Sequence, residues 1–462
     1  MRKNLLCFFL LLLPLWAWGQ TRNETGRPFI RSYTPKEYGA GAGVWAIVHD
    51  ERGVMYFGND IGLLEYDGAS WRMIATPNRA VVRSLAKDQN GRIYVGEVGN
   101  FGYLAPDSVG QMQYVSLLPS VPPQDRAFND VWRIYATTQG VYFQSYDRLF
   151  RWSNNQMQVW KPSTRFQRSS VVRDRFYIPQ LGVGLLEMAG DSLRLVPGGE
   201  RFADERVDVM LPYDEKKILV GATIQGLFIY DGISFQPFKT AAEAFLRENQ
   251  IYRGAVLSDG TFALTTTRGG VAIIDRQGNF LQLLDKAAGL QVNTIFFAFI
   301  DRQGAMWLGL DRGIARVEIP SPLSFYAEES GLEGAVFGGI IRHRGTLYVA
   351  TRLGVFYLQS ESSKFKPVTG ITADSWSLLS MGKILLAATN DGVCQITGSE
   401  ATFVKKSVNN SFQPSWLYRS RQDTNRVYVG LFDGLASLRW NGEWIDEGRI
   451  NGIQEAIRNL IE

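Results

Sequence analysis

Two histidines and one cysteine beyond the first 19 residues are the whole stock of soft nucleophiles and soft metal ligands in this 462-residue chain. His49 and His343 fall in turn regions of two different repeats far apart in sequence, and Cys394 sits alone in an apolar run. No HExxH, Cys/His cluster or GxSxG occurs, which excludes the common zinc-hydrolase and serine-nucleophile arrangements. Cys394 has no partner for an intrachain disulfide once Cys7 is removed with the leader, and it reads as a small buried residue of a strand. Carboxylates are plentiful, yet Asp50, Asp88, Asp231 and Asp301 recur at turn positions, where Asp caps its own backbone. Gly182-Val183-Gly184 and Gly269-Gly270 read as hairpin glycines, since neither precedes a helix that could cradle a phosphate. The expectation is no catalytic residue, no metal and no cofactor.

Binding chemistry is better supplied. Aligned on the turns, the second residue of each repeat's first strand is Trp45, Arg83, Trp132, Asp208, Tyr252 and Phe296, followed further on by Phe337, Trp376 and Trp416. If that strand is innermost in a ring, its start lies at the mouth of a central channel. Aromatic faces with a few charged groups suit an oligosaccharide or another small amphipathic ligand. The competing reading is that a recurrent aromatic column packs between neighbouring repeats. Arg83 and Asp208 break the apolar character of the column and are the sharper candidates.

The elements that must position these residues are hairpins. In Asp301 to Val317, Asp-x-x-Gly makes a tight turn, Ala305 to Leu308 a short apolar strand, Gly309 a close approach to another backbone, Asp311-Arg312-Gly313 a second turn, and Ile314 to Val317 the returning strand. Clear copies begin at Asp50 and Asp88, run from Ile218 to Gly232 and from Leu347 to Tyr357, and end with Val427 to Leu438. Weaker ones sit at Val141-Tyr142-Phe143, Arg175-Phe176-Tyr177, Phe262-Ala263-Leu264 and Ile384-Leu385-Leu386, making ten units with a period near 40 residues. An all-β repeat of ~40–45 residues with four strands is the signature of a propeller blade. The predicted fold class is therefore all-β: a seven-bladed β-propeller followed by the first blades of a second, incomplete one.

Residues 1–19 read as a secretory signal peptide, with Arg2 and Lys3 before an apolar run from Leu5 to Trp16 and a small-x-small site at Ala17-Trp18-Gly19. Residues 20–320 form the expected first propeller, and 321–462 about three blades of the second plus the first strand of another. Pro28 to Tyr33 is expected as the outermost strand that closes blade seven, and Leu323 to Tyr326 as its counterpart in the second ring. Ile457 to Glu462 matches Val82 to Lys87, the first strand of unit two, so the sequence is expected to end inside an eleventh unit and to leave strand edges open. A hydrophobic content of 45% and 47 glycines describe a large folded β protein. A net charge of +4 spread over turns and strands gives no basic stripe for nucleic acid.

The pattern D-x-x-G-x-[LIM]-[WY]-[VIF]-G-x(3,4)-G-[LI]-x(2)-[YV], best seen from Asp50 to Asp67 and from Asp301 to Val317, resembles the two-component regulator propeller repeat. The resemblance covers nearly all of residues 28–462. It implies the periplasmic sensor region of a bacterial membrane-bound regulator, in which tandem seven-bladed propellers respond to glycan fragments and pass a signal to a kinase or DNA-binding output. A β-sandwich, a transmembrane helix and that output would follow in the family, so membrane attachment and a homodimer would come only through such segments. Two other classes compete with a ligand sensor: a secreted protein-interaction scaffold and a propeller lyase or lactonase.

Overall fold

The computed structural model describes residues 26–77, 79–321, 323–326, 330–359 and 364–462. The expected signal peptide, Pro322 and the side chain of Phe337 lie outside the described residues.

The turn chemistry explains why the chain folds back so regularly. Asp50 Oδ1 accepts the backbone N–H groups of Arg52 (2.8 Å) and Val54 (3.0 Å). Asp88 does the same for Asn90 and Arg92, and Asp301 for Gln303 and Ala305. Each turn closes on a glycine in the left-handed region, with φ of +87° at Gly53, +81° at Gly91 and +85° at Gly304. The strand glycines have a different task. A Cβ at Gly58 would stand 2.6 Å from the Val82 carbonyl oxygen, and one at Gly309 2.5 Å from that of Val44. Each lets the first strand of the next sheet cross directly over it.

The described residues hold ten four-stranded antiparallel sheets. Seven of them lie in the compact unit Arg27–Phe325. Their first strands are Val44–His49, Val82–Lys87, Arg133–Thr137, Ser170–Val172, Val207–Pro212, Ile251–Val256 and Ile295–Ile300. Each packs against the next, and the last packs against the first, so the sheets close into a ring around an axis lined by first strands. This is a β-propeller. Apolar residues fill the space between neighbours, as Ala46, Val82 and Val95 do between sheets one and two.

Closure depends on the two ends of this unit. Ile30–Tyr33 pairs with Ile314–Val317 in continuous register, Ile30 opposite Val317 and Tyr33 opposite Ile314, and supplies the fourth strand of sheet seven. Tyr33 then stacks on Trp307 (5.7 Å, 14°) and meets Tyr66 and Trp71 edge-on, which ties sheet seven to sheet one. A paired outer strand also removes an exposed edge. Leu323 to Tyr326 behaves differently from its expected role. It forms no strand; Phe325 instead exchanges both backbone hydrogen bonds with Arg27 (2.8 Å each).

The unit Tyr326–Glu462 carries three sheets, whose first strands Val336–His343, Ser375–Met381 and Pro414–Arg419 pack in succession. Cys394 is buried in the strand Gly392–Thr397, where burial pushes its thiol up to about 12. Residues 457–462 form no strand, yet Ile457 holds the place of one. Ser415 Oγ donates to the Ile457 carbonyl (2.6 Å), and a Cβ on Gly430 would stand 2.9 Å from that oxygen, the relation Gly58 has to Val82. His49 and His343 are the last residues of their first strands rather than turn residues.

Candidate ligand site at the mouth of the ring

The aromatic and charged column owes its direction to a repeated irregularity. In sheet one, Val44 pairs with Asn59 but Ala46 with Gly58, leaving Trp45 over as a β-bulge. The same slip leaves over Arg83 in sheet two, Asp208 in sheet five, Tyr252 in sheet six and Phe296 in sheet seven. In sheet three, Trp132 occupies this place, its N–H donating to the Gln144 carbonyl (2.8 Å). A bulge re-aims a side chain out of the alternation of its strand. Here it turns residues of six sheets toward one region.

They meet in a circuit that skips between sheets. The Arg83 guanidinium lies over Trp45 (3.9 Å) and Trp132 (4.9 Å). Trp45 stacks on Phe296 (3.9 Å, 6°), and Phe296 approaches Tyr252 (6.2 Å). Arg168 covers Tyr252 (4.5 Å) and Trp132 (5.2 Å), which completes the circuit, while Trp45 and Trp132 touch edge-on across it (6.4 Å). Asp208 enters through Arg168, whose Nη1 donates to Oδ1 (3.1 Å), and Asp130 anchors Arg83 Nε (2.7 Å). Sheets one and three are not neighbours, so these rings converge on the axis rather than pack only between adjacent sheets.

Sequence alignment on the turns missed the arginine layer just beneath. Arg133 and Arg253 follow the column residues of sheets three and six, opposite Gln144 and Thr265. In sheet four, Phe166 bridges Gln180 and the Gln167 N–H donates to the Pro179 carbonyl (2.7 Å), so Gln167 takes the column place and Arg168 the layer below. Arg253 sits deep in the protein, its guanidinium over Phe297 (4.3 Å), and burial together with the charge of Arg133 brings its pKa down to about 9. Burial also lowers that of Arg133, which is 4% exposed.

Beside the mouth, a cavity of about 300 Å³ opens among Tyr146, Arg165, Gln167, Arg168 and Arg206. Arg165 lies on Tyr146 (4.0 Å), and Tyr146 is 5.4 Å from Trp132. At the end of the second strand of sheet two, Ile93–Glu97, Glu97 is fully buried, and neither carboxyl oxygen has a hydrogen-bond partner among the described residues. Burial pushes this carboxyl up to about 7.

A larger cavity, about 670 Å³, lies away from the column and is shared by sheets one and seven. Its wall includes Tyr33, His49, Arg52, Asp301, Arg302 and Arg316. The His49 ring meets Phe299 edge-on (5.4 Å) and its Nδ1 is 2.9 Å from the Asp50 carbonyl, so that nitrogen carries the proton. Each of the three arginines facing Asp50, Glu51 and Asp301 is ion-paired: Arg52 with Asp50, Arg302 with Glu51, and Arg316 with Asp301 and Glu318.

The second unit repeats the column only in part. Trp376 is the bulged residue of its sheet; its Nε1 donates to Asn390 Oδ1 (2.8 Å) and its ring meets Phe432. Trp416 does not belong to the column, because it pairs with Gly430 and the bulge falls on Ser415. The side chain of Phe337 lies outside the described residues. No group of three or more metal-ligating side chains occurs among the described residues, and none of their helices is long and apolar enough to cross a membrane.

Fold and site together define a β-propeller with a candidate ligand site at the mouth of its ring. Among solved structures, the chain is similar to the extracellular domain of a protein assigned as a hybrid two-component system from B. thetaiotaomicron, with a TM-score of 0.68 and 16% identity over 92% of this chain and 61% of that one. It is also similar to the extracellular domain of a protein assigned as a one-component system from the same organism, with a TM-score of 0.51 and 16% identity over 92% and 62% of the two chains. The chain thus spans about 61% of the length of the first of these domains. No protein-family model and no curated protein matches the sequence.

Proposed function

We propose that this chain is the ligand-sensing propeller region of a bacterial signal-transduction receptor, exported to the periplasm, which binds a glycan-derived or other small ligand and does no bond chemistry itself. The reading takes residues 20–320 as the first propeller and 321–462 as part of a second. The observation that carries it is the convergence of Trp45, Arg83, Trp132, Tyr252 and Phe296 on one circuit at the mouth. Flat rings and fork-shaped donors are what a sugar's apolar faces and hydroxyls require. The likeness in fold to extracellular domains of two-component systems supports the same role. Asp130 and Asp208 at the mouth are engaged by arginines, which suits binding better than acid–base catalysis.

Binding signals only through a difference in free energy between two arrangements of the receptor. A ligand that ordered the circuit would favour the arrangement in which the mouth is best formed, and phosphorelay to an output domain would follow in the complete receptor. The test is a tryptophan-fluorescence titration with a panel of oligosaccharides, since Trp45 and Trp132 report from within the site. A saturable response that Arg83→Ala and Trp132→Ala each weaken at least tenfold is expected. Unchanged affinity in both variants would remove the site from the mouth.

A further inference from the structure

Six guanidiniums gather at the mouth and its side cavity: Arg83, Arg133, Arg168 and Arg253 in the ring, and Arg165 and Arg206 at the rim. The carboxylates that meet them are two. Asp130 accepts from Arg83 (2.7 Å), and Asp208, its side chain 1% exposed, holds both Arg168 (3.1 Å) and Arg206 (3.3 Å). Nearby Asp60 is taken up by Trp45 Nε1 (2.8 Å) and the Gly43 N–H (2.7 Å). Glu205 accepts the backbone N–H groups of Ile224 and Gln225 at one oxygen, its other oxygen being buried without a hydrogen-bond partner among the described residues, and it pairs with no arginine there. Arg133, Arg165 and Arg253 therefore have no carboxylate partner among the described residues, and like charges in a confined site oppose one another.

Donor atoms are left over as well. Arg83 Nη1, Arg168 Nε, Arg253 Nε and Trp132 Nε1 are buried without a hydrogen-bond partner. Buried donors without partners are rare in folded proteins, and a bound group or water would complete the set here. In the 670 Å³ cavity of sheets one and seven, Arg52, Arg302 and Arg316 each face a carboxylate of their own and Arg31 lies on the Tyr33 ring (4.7 Å), whereas at the side cavity Arg168 and Arg206 share the single Asp208 and Arg165 has none among the described residues. A cleft of one sign with low-dielectric walls focuses its field on an oppositely charged ligand. The guanidinium fork matches the paired oxygens of a carboxylate or sulfate.

We propose that the ligand is anionic: an acidic sugar whose carboxylate or sulfate sits between Arg165, Arg168 and Arg206 in the 300 Å³ cavity, with its ring toward Tyr146 and Trp132. The volume stands at the small end of the ~300–1,000 Å³ range of ligand pockets, which fits one charged sugar residue better than a long chain. This inference rests on the sensing role proposed above and names the class of ligand that the role requires.

The experiment follows tryptophan fluorescence of the chain during titration with sodium sulfate, against sodium chloride at equal ionic strength, and with galacturonate, galactose 6-sulfate and galactose. Saturable responses are expected for sulfate and for at least one acidic sugar, with galactose at least tenfold weaker. Arg165→Ala and Arg206→Gln, both exposed enough to be replaced without disturbing the core, should each weaken the acidic ligands at least tenfold, and Arg165→Lys should restore part of the loss. Equal binding of galactose and galacturonate, absence of any response to sulfate and both acidic sugars, or unchanged affinity in both arginine variants would overturn the proposal. The two readings fail separately. Binding of a neutral glycan that is lost in Trp132→Ala keeps the sensing site and ends the anionic assignment. Sulfate binding through Arg165 and Arg206 with no oligosaccharide, acidic or neutral, altering the output of the complete receptor keeps the anion site and ends the sensing role.

Discussion

The mouth of the ring and the cavity of sheets one and seven are built from the same residue types and differ in how their charges are settled. At the sheet one and seven cavity, three of the four lining arginines are ion-paired and the fourth, Arg31, lies on Tyr33, over a base of stacked Tyr33, Tyr66, Trp71 and Trp307. At the mouth, arginines outnumber the carboxylates that meet them, and several donors remain unused. A satisfied cluster is a joint. On the reading proposed above, the larger cavity holds the ring closed and the smaller one takes the ligand.

If the cavity of sheets one and seven is a joint, its loss should cost stability and leave binding alone. Trp307 is 4% exposed and stacks under Tyr33 of the closing strand. Trp307→Ala is expected to lower unfolding free energy by ~3–5 kcal/mol, as large aromatic truncations in cores do. Urea unfolding measures this, and the ligand affinity of the folded fraction should not change.

Next in size is Glu97, the buried carboxyl near the mouth that has no partner, in contrast to Asp208. Its pKa rises from 4.5 to about 7 on folding, so its protonated form is favoured in the native state. Stability from this group is full below pH 4.5 and is lost as pH rises through 7, an effect of about 3 kcal/mol at the level of roughly 1.4 kcal/mol per unit. Glu97→Gln should make the protein more stable than the natural chain above pH 7 and flatten the pH dependence of stability between 4.5 and 7. A variant with the same pH profile as the natural chain would show that water reaches this carboxyl.

A third comparison lies in the strand glycines. Gly309→Val places a branched side chain against the Val44 carbonyl, 2.5 Å from the first added atom, and should prevent sheet seven from meeting sheet one. Gly68→Ala, at a turn with nothing within 4 Å, should cost only the strain of its φ of +102°. Circular dichroism on heating separates the two, the first losing tens of degrees or failing to fold and the second shifting by a few.

The hairpins were legible in the sequence because their causes are local: an Asp that caps its own turn and a glycine that follows it need no distant partner. Ring closure by Ile30–Tyr33 was legible for a similar reason, since its strand has no mate nearby in sequence. The column was legible as a spacing, but the bulges that aim it were not. Trp416 was placed one residue off, because in its sheet the bulge falls on Ser415. Sheet four escaped the alignment because its first hairpin turns on Arg173 and Asp174 at φ of 50° and 63° rather than on Asp-x-x-Gly. Arg133, Arg168 and Arg253 come together only through ring closure, and the pairs Trp132-Arg133 and Tyr252-Arg253 were the sole hint the sequence held.

The smallest expected effect is also the control for the central claim. Arg302→Gln breaks an exposed ion pair with Glu51 at the sheet one and seven cavity and should leave both stability and binding as they are. One fluorescence titration of the natural chain, Arg83→Ala, Trp132→Ala and Arg302→Gln with the same oligosaccharide decides the matter. The account predicts at least a tenfold loss in the first two variants and none in the third. Loss in Arg302→Gln with the two mouth variants unaffected would put the ligand in the other cavity and contradict it.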